Sequence, residues 1–92
     1  MEIDMMNGTI VSAEVASKMR PILMGERSAP LDVADSGWQF WGGDSDMQES
    51  DCARIWAVGE VLEYEPTLAA YIDMPTGTRL ERSSQTEIWK FW

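Results

Sequence analysis

Apolar and polar positions change period several times along the chain, and each change predicts an element. Residues 9–11 (Thr-Ile-Val) read as a short strand. Ser12 is placed to cap a helical turn or two over residues 13–18, with Val15 and Met19 four apart on one face. Pro21 ends that turn, and residues 22–26 read as a second strand. Residues 28–36, with Pro30, Asp32 and Asp35, read as a loop. The clearest strand is 37–41: Trp38 and Phe40 share one face, Gln39 and Trp41 the other. Residues 44–51 carry almost no apolar side chains and read as a solvated loop, and 54–58 as another short strand.

Two short helices follow. Val58, Val61 and Leu62 are spaced i, i+3, i+4, and so are Leu68, Tyr71 and Ile72. Pro66 suits the first turn of the second helix, and Pro75 with Gly77 makes a turn after it. Residues 78–82 and 86–92 alternate; in the latter Ile88 and Trp92 fall on one face, Trp89 and Phe91 on the other. The pattern predicts an α+β fold: a small single domain, residues 1–92, with a mostly antiparallel twisted sheet and short helices packed on one face. Strand 86–92 would lie at a sheet edge, open to pairing with a second copy as a homodimer.

Composition narrows the function. Sixteen acidic and seven basic residues leave a formal charge of −9, with no histidine and one cysteine in 92 residues. The charge is concentrated: residues 32–51 hold six acids and no base. Such a balance disfavours nucleic-acid binding, which needs a lysine- and arginine-bearing surface, and favours attraction to a basic partner. No apolar run approaches the roughly 18–20 residues of a membrane-spanning helix. Glu2 and Asp4 give the start of the chain the wrong sign for a secretory signal. Cys52 alone cannot form an internal disulfide, so a reducing cytoplasm is the expected compartment. Without histidine, the usual serine or cysteine triads and His-ligated zinc are excluded.

The remaining candidates for chemistry are few. Asp44, Asp46, Glu49 and Asp51 resemble a cluster of hard-cation ligands, but a calcium loop of the EF-hand kind needs glycine where Glu49 stands and glutamate where Ile55 stands. No metal and no cofactor is therefore expected, and these four acids read as a solvated loop or as a steering surface for a basic protein. Glu60, Glu63 and Glu65 flank a helix and read as a solvated face rather than as a glycosidase pair. Cys52 has Asp51 beside it and Arg54 two positions on, and reads as an inert small hydrophobe. Five tryptophans are more than a domain this size readily buries in full. Trp38, Trp41, Trp89 and Trp92 are candidates for a partner-binding anchor beside the acidic loop.

The stretch Asp35-Ser36-Gly37-Trp38-Gln39-Phe40-Trp41-Gly42-Gly43-Asp44-Ser45-Asp46 resembles the DSGW-x-F-x-x-GD-x-D motif of the bacterial immunity protein thirty-three family. Downstream, Ile55-Trp56 and Leu62-Glu63-Tyr64-Glu65-Pro66 are similar to its L-x-Y-x-P element. The run Tyr71-Ile72-Asp73-Met74-Pro75-Thr76-Gly77-Thr78 resembles its L-D-x-P-x-G turn, followed by Glu81-Arg82. Upstream, Ile10-Val11-Ser12 fits the opening strand and cap. The resemblance covers about residues 9–82 and leaves 83–92 as a C-terminal extension. Trp41 and Met74 stand where smaller residues are expected.

The resemblance implies a small cytoplasmic, non-enzymatic protein that protects a bacterium by binding a cognate toxin of a polymorphic toxin system. It implies no catalytic residue. Asp35 and Ser36 suit Asx-type bonds that cap the strand, and Gly37 suits a left-handed or bulged backbone. The alternative is a regulatory or scaffold interaction domain that neutralises nothing.

Overall fold

A computed structural model describes residues 4–17, 20–42 and 53–91. Its elements, in chain order, are β1 (Gly8–Val11), α1 (Ala13–Ala16), β2 (Met24–Arg27), β3 (Asp35–Trp41), β4 (Arg54–Ala57), α2 (Val58–Tyr64), a 3-10 helix (Pro66–Ala70), β5 (Arg79–Glu81) and β6 (Lys90–Phe91). The six strands form one sheet in the order β4-β1-β3-β2-β5-β6. Among the described residues only the β1–β3 pairing is parallel; the other four are antiparallel. This is the α+β class that the hydrophobic pattern predicts.

One face of the sheet carries the core. Val11 of β1, Trp38 and Phe40 of β3 and Leu80 of β5 pack with Val15 of α1, Val58 and Val61 of α2, and Leu68, Ile72 and Trp89. The Trp38 and Phe40 rings stack with centroids 5.2 Å apart. On the opposite face a row crosses five strands by register: Ile55, Ile10, Gln39, Glu26 and Arg79. Ile55 is 77% exposed and Ile10 40%. The helices therefore cover one face, and alternation along the strands sorts the side chains.

Local bonds explain the boundaries. Ser12 Oγ accepts from the Val15 amide at 3.3 Å, capping α1. The Val58 and Gly59 amides donate to the Asn7 and Met5 carbonyls, each at 2.9 Å, so the chain turns directly from β4 into α2 with its first amides satisfied. Strand β3 begins at Asp35, earlier than the alternation suggests, because the register against β1 jumps between Gly8 and Ile10 and takes Ser36 and Gly37 into a bulge.

Three elements differ from the sequence pattern. Strand β2 starts at Met24, since Ile22 leaves the strand path to pack fully buried in the core. The second helix is a five-residue 3-10 helix that starts at Pro66; its bonds, from the Leu68 amide to the Glu65 carbonyl and from the Tyr71 amide to the Leu68 carbonyl, join residues three apart. The final strand spans only Lys90–Phe91, because the Glu87 carboxylate accepts from the Ser83 amide at 2.9 Å and folds residues 83–87 into turns. Trp89 then lies buried while Phe91 stays exposed, although the alternation put them on one face.

Candidate functional site

The motif residues engage one another. Asp35 Oδ1 accepts from the Gly37 amide at 2.9 Å and Oδ2 from the Leu31 amide at 2.8 Å. Ser36 Oγ accepts from the Trp38 amide at 3.1 Å and shares a 3.1 Å hydrogen bond with the buried Thr9 hydroxyl. Gly37 has φ +82°, and a Cβ there would sit 2.2 Å from the Ser28 carbonyl oxygen. The Trp38 indole donates to the Ile72 carbonyl at 2.8 Å. Arg27 reaches from β2 to both motifs, donating to the Ser36 carbonyl at 3.0 Å and the Met74 carbonyl at 2.7 Å. The DSGW segment and the turn before Pro75 are thus two halves of one clasp.

A second clasp joins residues further apart. Glu65 and Arg82 form an ion pair at 2.6 Å with both side chains buried. Arg82 also donates twice to the Ile22 carbonyl, at 3.1 and 2.8 Å, and its guanidinium lies 4.2 Å over the Trp89 ring. Thr67 Oγ1 donates to the other Glu65 oxygen and accepts from the Trp89 indole at 2.9 Å. Pro66, which starts the 3-10 helix, follows Glu65 directly, and Gly77 turns the chain with φ +96°. These side chains satisfy one another inside the domain and present little to a partner.

The tryptophan anchors need correcting. Trp38, Trp41 and Trp89 retain only 1%, 7% and 5% of their surface, so none of them projects outward. Trp41 lies on the sheet face opposite the core and donates its indole N–H to the Met24 sulfur at 3.2 Å. Trp92, Cys52, Asp44, Asp46, Glu49 and Asp51 lie outside the described residues. Nothing in the described part thus joins an exposed tryptophan from that set to the acidic loop.

Among the described tryptophans the partly exposed one is Trp56, on the edge strand β4. Its ring meets Tyr64 edge to face, with centroids 5.6 Å apart. Trp56, Tyr64, Glu60 and Glu63 line an open hollow of about 270 Å³. Trp56 also borders a second hollow of about 410 Å³, lined by Ala13, Ala16, Ser17, Arg54 and Ile55. Tyr64 is held by its hydroxyl, which donates to the Arg20 carbonyl at 2.6 Å. Burial and then the neighbouring Glu65 charge raise its pKa. The signal for this surface was present in the sequence: Glu60, Glu63 and Tyr64 are spaced i, i+3, i+4 and must share a helix face. What periodicity does not reveal is that β4 is an edge, which leaves Trp56 partly open.

Among the described residues no group of three or more His, Cys, Asp or Glu side chains is placed to hold a metal ion. No helix among them is long and apolar enough to cross a membrane. The architecture is a small α+β domain whose motif side chains serve as internal struts. The chain belongs to the family described as the Immunity protein Imm33 domain, whose model matches residues 9–92. The match includes residues 83–92, which the motif spacing had set apart as an extension. No curated protein and no solved structure matches the chain.

Proposed function

We propose that this protein neutralises a cognate bacterial toxin in the cytoplasm by binding it, without catalysis. The observation that carries this reading is the family match over nearly the whole chain. The placement of the motif residues supports it: Asp35, Ser36 and Arg82 are engaged in internal bonds, so these motif positions hold the scaffold together. The partner surface is then the part the struts leave open, centred on edge strand β4 and Trp56. The net charge of −9, concentrated in residues 32–51, favours encounter with a basic toxin.

The test is growth protection. Genes beside the chain's own are searched for a secreted toxin, and any candidate found is co-expressed with the chain. Restored growth supports the reading; unrestored growth with both proteins present contradicts it and leaves an interaction domain that neutralises nothing.

A further inference from the structure

The hollow between Trp56 and Tyr64 has a composition suited to one kind of ligand. Two aromatic rings meet edge to face at its wall. Two carboxylates, Glu60 and Glu63, line it from the same helix, and neither has an ion-pair partner among the described residues. Both are exposed, so their carboxylates are open to a ligand that enters the hollow. Two of its lining side chains are held without a ligand: Tyr64 by the Arg20 carbonyl, and Glu60 by the Ala57 amide, which donates to Oε1 at 3.0 Å. The chain's nearby cation in β4, Arg54, lines the second hollow that Trp56 borders.

We propose that this hollow receives an arginine side chain of the protein partner. An aromatic face attracts a cation through its quadrupole, most strongly for tryptophan. A guanidinium is planar, so it stacks on a ring while its N–H fork addresses a carboxylate. An ammonium offers no plane to stack. The pairing of an indole with two carboxylates therefore favours arginine over lysine. The inference rests on the reading that the chain binds a protein, and it names the partner's chemistry at this surface.

The test uses small probes and no toxin, so its outcome is separate from growth protection. N-acetyl-arginine amide is titrated into the labelled full-length chain while the Trp56 indole N–H resonance is followed, assigned by its absence in Trp56→Phe. Neutral N-acetyl-citrulline amide and N-acetyl-lysine amide serve as comparisons. The expected result is a saturable shift with the arginine probe, several-fold weaker binding of the lysine probe, and no shift with citrulline. Glu63→Gln, at an exposed position, should weaken arginine binding several-fold while leaving the rest of the spectrum in place. An unmoved Trp56 resonance, an equal response to citrulline, tighter binding of lysine, or no effect of Glu63→Gln would each overturn the proposal.

Discussion

Glu65 and Arg82 meet at 2.6 Å in the interior, seventeen residues apart, and join the start of the 3-10 helix to the end of β5. Their remaining polar atoms are also satisfied, by Thr67, Gln85 and the Ile22 carbonyl. A buried pair of this kind is costly to break, because the survivor is left charged and unpaired. Arg82→Met is expected to cost about 3–5 kcal/mol in urea unfolding. Adding Glu65→Leu should restore part of that loss. A double variant no more stable than Arg82→Met alone would contradict the pairing.

Gly37 and Gly77 both have positive φ, yet they differ in what surrounds them. At Gly37 a Cβ meets the Ser28 carbonyl oxygen at 2.2 Å; at Gly77 it meets nothing within 4 Å. Gly77→Ala should therefore cost only the left-handed strain, about 1–2 kcal/mol. Gly37→Ala adds a backbone collision and should cost clearly more, in the same unfolding measurement. Equal losses would mean that the bulge relaxes freely.

Two groups set weak pH dependences at opposite ends of the scale. Burial and the Glu65 charge raise Tyr64 above the ordinary 10.0, so its contribution is full below that value and is lost as pH rises through the folded pKa. The Ser83 backbone amide, then the Ser83 side chain, lower Glu87 below 4.5. Its contribution is present above 4.5 and is lost as pH falls through the folded pKa. Carbon-detected titration of the two side chains should place Tyr64 above and Glu87 below these values. A Glu87 carboxyl that titrates at 4.5 or higher would exclude the Ser83 bond in solution.

The acidic segment is predicted to act on encounter. Replacing Asp44, Asp46, Glu49 and Asp51 together by Asn or Gln should slow toxin association and flatten its dependence on salt, with little change in dissociation. Stopped-flow measurement at two ionic strengths checks this. An unchanged association rate and salt slope would remove the steering role.

Much of the scaffold was legible in the sequence. Strand alternation around Trp38 and Phe40, the Ser12 cap and the proline–glycine turn follow from local geometry. The misses arise where tertiary bonds override local pattern. Alternation grouped Trp89 with Phe91, but Arg82 and Thr67 draw Trp89 inward and the Ser83–Glu87 turn shortens the strand. Counting tryptophans likewise does not tell which are open. Trp38 is buried by its bond to Ile72, thirty-four residues away, whereas Trp56 is open because β4 ends the sheet.

The central claim is that protection comes from stoichiometric occupancy of a toxin. Titrating the purified chain into a fixed amount of the toxin it protects against in the growth assay, while following toxin activity, tests this directly. Activity should fall linearly and reach its floor at molar equivalence, with no dependence on incubation time. Loss of all activity at a small fraction of equivalence, progressing with time, would show turnover and contradict the account.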